Sequence, residues 1–219
     1  MFDYAPLWIS LRATVLAAAI VFALGTLAAR LCLDIRGRFA WVLDVLFTLP
    51  MVLPPTVLGF FLLVIFGRNT FFGKLLSDAG MPVIFSWHAT VIAAVVVSFP
   101  LMYKGAKGAF EQVDQEHVWA ARTLGMSEFG IFVKVMFPEA WPGILAGLAL
   151  SFARALGEFG ATLMIAGNIP GKTQTIPMAI YFATAGGDMR TAWIWVAVIT
   201  IVSCVALAVM NHFGNKGRS

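Results

Sequence analysis

Ala13-Thr14-Val15-Leu16-Ala17-Ala18-Ala19-Ile20-Val21-Phe22-Ala23-Leu24-Gly25-Thr26-Leu27-Ala28-Ala29 contains no Asp, Glu, Lys or Arg. A charge-free run of this kind is near the ~17–25 residues that a helix needs to cross the hydrocarbon core of a bilayer. The pattern recurs: residues 45–67, 79–103 and 191–215 are also free of charge. Between the last two, residues 138–169 are mostly apolar but interrupted by Arg154 and Glu158. We read them as one longer span with an ionisable break. The expectation is an all-α, polytopic membrane protein with about five transmembrane helices in one domain, residues 1–219. The spans fall at about 8–33, 39–66, 84–109, 139–167 and 190–212, with a polar loop at about 110–137. Short β-strands are excluded, because no ~10-residue dyad alternation repeats.

Composition agrees. The chain is 60% hydrophobic and 12% charged, with a mean hydropathy of +0.88. Soluble domains carry about 25% charged residues, so water is the poorer solvent for this sequence. The start, Met1-Phe2-Asp3-Tyr4, lacks the basic region of a signal peptide, and the first helix is expected to be retained. Cys32 and Cys204 show neither disulfide nor metal-ligand spacing and read as small membrane-buried residues.

The basic residues orient the chain. One set of flanks holds Arg30, Arg36, Arg38, Lys104, Lys107, Arg122, Lys134, Lys216 and Arg218. The other holds Arg68, Lys74, Lys172 and Arg190, with Arg12 just inside the first span. Positive charge is retained on the cytoplasmic side, which places the N-terminus outside and the C-terminus in the cytoplasm. The net charge of +4 is this topological bias. It does not indicate nucleic acid, since no soluble module carries a basic face.

The most polar stretch, 104–137, then lies in the cytoplasm. Val113, His117, Ala121 and Leu124 recur near every fourth residue, which predicts a helix with a narrow apolar stripe. Gly125 is a stop and Ser127 a cap for a second short helix. Pro138 is expected to break the chain before the next span. Small residues at Ala120, Ala121 and Gly125 suit the close approach of another protein better than a lipid surface, which favours bulky apolar and basic residues.

This loop resembles that of ABC-importer permeases, whose pattern is Glu-Ala-Ala, three residues, Gly, nine residues, Ile-x-Leu-Pro. Here Trp119-Ala120-Ala121, then Gly125, then Val135-Met136-Phe137-Pro138 keep the spacing. Trp119 replaces the acid, and Glu116 lies one turn earlier. Three further stretches resemble the molybdate-type permeases. They are Leu49-Pro50-Met51-Val52-Leu53-Pro54-Pro55-Thr56-Val57-Leu58-Gly59, Phe152-Ala153-Arg154-Ala155-Leu156-Gly157-Glu158-Phe159-Gly160-Ala161-Thr162, and Asn168-Ile169-Pro170-Gly171-Lys172-Thr173-Gln174-Thr175-Ile176-Pro177. Sulfate permeases share the Gly-Glu-Phe-Gly stretch.

The resemblance implies a type I ABC-importer permease fold in a bacterial inner membrane. It implies a homodimer of this chain, two cytoplasmic ATPase subunits that bind the ATP and Mg, and a periplasmic oxyanion-binding protein. The permease itself would be no enzyme and would bind no cofactor or metal. Its ATPase-coupling loop would use Glu116, Trp119, Ala120, Ala121, Leu124, Gly125 and Pro138. The substrate would be molybdate, with sulfate or tungstate as alternatives. From another class, the chain could be a membrane scaffold without a path. A membrane-embedded enzyme is poorly served, because His88, His117 and His212 are dispersed.

Individual residues leave choices open. Ala166-Gly167-Asn168-Ile169-Pro170-Gly171-Lys172-Thr173 is close to a P-loop in spacing, but follows an apolar span on the external side, where ATP is absent. Arg154 and Glu158 share a helix face and lie beyond the midplane, roughly 21 Å from Ala140 at ~1.5 Å per residue. They are either an internal ion pair or part of an oxyanion path with Thr162. Pro50, Pro54 and Pro55 either kink the second span or form a gate near Thr56. Gly143, Gly147 and Ser151 form a small-residue ladder for helix packing, within the subunit or at a dimer axis. Trp87, His88, Trp193 and Trp195 read as interface anchors, and 174–185 as a segment along the outer face.

Overall fold

A computed structural model describes residues 3–215. They form helices throughout, with no strand among the described residues. In chain order these are α1 (Ala5–Leu33), α2 (Arg38–Val52), α3 (Pro55–Phe66), α4 (Phe71–Asp78), α5 (Trp87–Glu111), α6 (Gln115–Thr123), α7 (Glu128–Ile131), a π turn (Phe132–Met136), α8 (Phe137–Leu156), α9 (Gly160–Ala166), α10 (Ile176–Ala185) and α11 (Met189–Asn215). Among the described residues, four continuous helical stretches are long and apolar enough to cross a membrane, or five if the bent pair α2–α3 counts as one.

The centre is a bundle of α1, α5 and α8. Ala13, Ala17, Val21, Gly25 and Ala29 recur every fourth residue on α1, and all are buried. Such a row of small side chains lets a neighbouring helix seat closely, as packing inside a bilayer requires. A Cβ on Gly25 would lie 2.8 Å from Met102 Cγ on α5. Tyr103, Met102 and Phe110 of α5 are fully buried beside Ile131 and Ile144.

Two expected single spans are broken. α2 and α3 meet at 113°, a reversal far beyond a kink. The cause is local. Leu53 and Pro54 each precede a proline, and a following Pro disfavours helical backbone. Both are extended, at ψ 140° and 139°. Pro55 then opens α3, where its missing N–H costs nothing, whereas Pro50 is absorbed inside α2. The fourth span is likewise two helices, α8 and α9, separated at Gly157-Glu158-Phe159.

Pro138 does not break the chain, contrary to expectation. α7, the π turn and α8 run as one helical stretch, Glu128–Leu156. The π turn supplies the reason. The Phe137 N–H bonds the Phe132 carbonyl five residues back, and this widened turn passes the point where Pro138 has no N–H to give. Trp195 also departs from expectation. It is buried with Ile176 and Ala179 in a cluster joining α10 to α11, while Trp193 is exposed. The segment 174–185 is thus packed against α11.

Candidate functional site

The elbow between α5 and α8 is built by local capping. Asp114 Oδ1 accepts the Glu116 N–H at 2.9 Å and starts α6. Gly125, at φ +78°, ends it. The Met126 N–H reaches the Ala121 carbonyl and the Gly125 N–H the Arg122 carbonyl, the paired closure that a left-handed residue permits. Ser127 Oγ accepts the Gly130 N–H and caps α7. Arg122 then grips Glu128 through Nε and Nη2 at 2.7 and 2.9 Å, fixing α6 against α7.

This elbow has two faces. Val113, Val118 and Ala121 point inward and join the cluster of Tyr103, Phe110 and Ile131. The expected stripe is thus corrected. Val118 replaces His117, and Leu124 is 82% exposed, because the Gly125 turn carries it past the inward face. Glu116, Trp119 and Ala120 are exposed as well, and so is Pro138. Trp119 at 60% exposure, Leu124, and Phe129 at 78% leave large apolar surface outside any fold contact. Phe129 was missed in the sequence. Its only signal was an aromatic side chain two residues after the Ser127 cap in a polar stretch.

Glu139 ties the elbow to α8. Its Oε1 accepts the Asp114 N–H and its Oε2 lies 3.1 Å from His117 Nδ1. That hydrogen bond, more than any other influence, raises the His117 pKa above its ordinary 6.5. The imidazole remains exposed and open to solvent screening.

The second constellation surrounds the helix breaks. Arg154 Nη1 lies 2.8 Å from Glu158 Oε2, and Glu158 Oε1 accepts the Ala161 N–H at 2.8 Å. Glu158 is 3% exposed. It bridges the gap, holding the last turn of α8 and capping the first of α9, and Arg154 is the partner of its charge. Glu158 and Thr162 line a small cavity of about 10 Å³ with Ser10, Thr14, Thr90 and Thr175. This is room for one water, and Thr175 Oγ1 is buried there without a partner. The cavity is too small for a tetrahedral oxyanion. Thr56 is exposed and stands apart from it, although Thr56 N would be 3.5 Å from a Cβ on Gly160. The two breaks therefore abut. Below them α3 and α9 pack tightly, with a Cβ on Gly59 meeting Met164 Cβ at 2.6 Å and Ala161 Cα at 2.9 Å.

The small-residue ladder meets α5 of the same chain. A Cβ on Gly143 would sit 2.6 Å from Ala109 Cβ, and one on Gly147 3.1 Å from Gly105 Cα. Ser151 Oγ donates to the Gly147 carbonyl at 2.8 Å. Gly105 was not singled out in the sequence; its spacing of four from Ala109 was the available signal. Asp44 was missed too. Its carboxylate accepts from Lys104 and Lys107 at 2.8 and 2.9 Å and from the Tyr103 hydroxyl at 3.0 Å, pinning α2 to α5. It is the sole acid in 39–66.

The near-P-loop is no phosphate cradle. The amides of Lys172, Thr173 and Gln174 all turn onto the Ile169 carbonyl. Thr173 Oγ1 accepts the Ile169 N–H and donates to the Gly167 carbonyl. The backbone donors that would grip phosphate are already spent.

Comparison with known proteins agrees with this architecture. The family described as the binding-protein-dependent transport system inner membrane component matches residues 11–216. YvgM of Bacillus subtilis (strain 168), a proposed molybdenum transport system permease protein, is 46% identical over 93% of this chain and 90% of its own length. The molybdenum transport system permease protein ModB of Escherichia coli (strain K12) is 45% identical over 73% of this chain and 71% of its own. In three dimensions the chain is similar to a chain of the inward-facing methionine ABC transporter MetNI. The TM-score is 0.79 over 97% of this chain and 94% of that one, at 15% identity. The chain belongs to the family of inner-membrane components of binding-protein-dependent transport systems.

Proposed function

We propose that this chain is the transmembrane permease subunit of an ATP-driven ABC importer that moves molybdate into the cytoplasm. The observation that carries the reading is its identity of 45–46% with permeases named for molybdenum transport. Two copies would pair in the inner membrane, with the N-termini outside and the C-termini in the cytoplasm. Two ATPase subunits would bind the ATP and Mg, and an oxyanion-binding protein would deliver the substrate from the periplasm.

The elbow supplies the mechanical link. Its inward face is locked into the bundle, while Trp119, Leu124 and Phe129 offer apolar surface to a partner. Closure of the ATPase dimer would push on this face. The displacement would pass along the continuous helical stretch Glu128–Leu156 to the breaks at Glu158 and Pro54. ATP acts only through its different affinity for the two states of the assembly. Glu158 already takes up the Arg154 charge, so the path would hold no strong anion well. A site that binds too firmly cannot release, and selectivity would rest with the binding protein.

The test is reconstitution of the permease with its ATPase and binding protein in vesicles. ATP-dependent uptake of labelled molybdate that is lost in a Trp119→Ala/Leu124→Ala double variant, with ATPase activity becoming independent of binding protein, supports the reading. Uptake that survives the double variant at full rate sinks the elbow's role.

A further inference from the structure

At the N-terminal end of the bundle lies a cleft of about 530 Å³, in the size range of ligand sites. Trp8 and Arg12 of α1, Trp87 at the start of α5, and Gly171-Lys172 of the loop after α9 line it. Its walls are largely apolar, but two cations reach it. Among the described residues, neither Arg12 nor Lys172 forms an ion pair with a carboxylate. Arg12 instead lies over the Trp8 ring, 5.7 Å from its centroid.

Its depth is set by helix length. α1 has 29 residues, about 43 Å at 1.5 Å per residue, against a hydrocarbon core of about 30 Å. Centred upright in that core, the helix would project about 6–7 Å at each end. Arg12 stands seven residues after Ala5, about 10 Å along the axis. Its guanidinium lies back over Trp8, one turn nearer the N-terminus, the direction in which a basic side chain would snorkel to the headgroup layer. Trp8 and Trp87, which line the same cleft, are of the residue type that collects at the membrane–water boundary. Gly171, at φ +73°, turns the chain so that Lys172 closes the same cleft.

We propose that this cleft binds the headgroup of an anionic phospholipid. Arg12 and Lys172 hold the phosphate oxygens, and Trp8 and Trp87 pack on the glycerol and upper acyl carbons. Two unpaired cations over apolar walls match a charged phosphate joined to hydrocarbon. A free, hydrated oxyanion gains nothing from the walls. The motif that looked like a nucleotide loop is then recast as one whose lysine meets a lipid phosphate with its side chain.

The test is native mass spectrometry of the purified protein titrated with phosphatidylglycerol and, separately, phosphatidylcholine. Phosphatidylglycerol should bind in preference. Arg12→Gln and Lys172→Gln should each weaken it about fivefold and the double variant about thirtyfold, as expected for two interfacial basic residues. Arg68→Gln, which removes a charge outside the cleft, should leave it unchanged. The charge-keeping pair Arg12→Lys/Lys172→Arg should retain binding, which separates lost charge from lost fold. Equal binding of phosphatidylcholine, or full retention in the double glutamine variant, overturns the proposal. Displacement of the lipid by millimolar molybdate overturns it as well, and would make the cleft a port for the transported oxyanion.

Discussion

Gly105→Ala adds one methyl group where α5 and α8 cross backbone to backbone. A Cβ there would be 2.6 Å from Gly147 Cα. Carbon atoms rest at about 3.5–4.0 Å, so α5 and α8 must part by about 1 Å. The reciprocal change, Gly147→Ala, meets Gly105 Cα at 3.1 Å and needs about half that movement. Gly108→Ala, on the same helix, meets nothing within 4 Å. All three gain the same helix propensity, about 1 kcal/mol of Ala over Gly, so their differences isolate the crossing. Overpacking costs about 1–3 kcal/mol, and the 2.6 Å contact belongs at the upper end. Both facing atoms are backbone, which cannot rotate away. Thermal melting of the purified protein in detergent should rank Gly105→Ala as least stable, Gly147→Ala as intermediate, and Gly108→Ala as equal to or above the parent. Gly143→Ala, at 2.6 Å from the Ala109 methyl, should fall near Gly105→Ala. If Gly105→Ala melted with Gly108→Ala, the helices would not cross where these glycines meet.

Three further outcomes follow from the same geometry. Arg154→Ala should destabilise by about 3–5 kcal/mol, because it leaves the buried Glu158 carboxylate without its cation, whereas Arg154 itself is a third exposed. Arg154→Ala/Glu158→Gln, which removes the buried charge as well, should recover part of that loss; a double variant no more stable than Arg154→Ala would refute the pairing. Leu124→Ser with Phe129→Ser should leave melting of the isolated permease within ~0.5 kcal/mol but weaken its co-purification with the ATPase, and unchanged co-purification would count against the elbow surface. The His117–Glu139 contact should be pH-dependent. The folded-state pKa of His117 is raised above 6.5, so its stabilisation is fully present below the unfolded value and is lost as pH rises through the higher folded one. The melting difference between the parent and His117→Gln should shrink across that window, and a difference that grows with pH would contradict the sign.

Much of the fold was legible because its determinants are local. Charge-free runs give spans directly, since the bilayer penalises every ionised group. Gly125 and Ser127 announced the end of one short helix and the start of another, because capping uses chemistry within a few residues. What stayed hidden depends on partners far along the chain. The prolines at 54 and 55 signalled an interruption. The 113° turn also needed Gly59 to admit α9, a contact more than a hundred residues distant. Pro138 looked like a stop because a proline removes a hydrogen bond from an α-helix of regular pitch, and the π turn just before it relieves that loss. His117 and Val118 are neighbours on a helix of nine residues. Which one faces inward is decided by how α6 docks, and spacing alone chose wrongly. Arg154 and Glu158 were readable as a pair four apart, but not the second hydrogen bond that makes Glu158 the cap of α9. Asp44 and Gly105 carry long-range contacts, and neither the lone acid nor the four-residue spacing names the partner far along the chain.

The most direct test of the central claim is uptake of labelled molybdate by the reconstituted complex of permease, ATPase and binding protein, with excess unlabelled sulfate or tungstate as competitor. The account predicts uptake that requires both ATP and binding protein and that the excess sulfate does not reduce. Absence of ATP-driven molybdate uptake, or sulfate competing as well as molybdate itself, would contradict it.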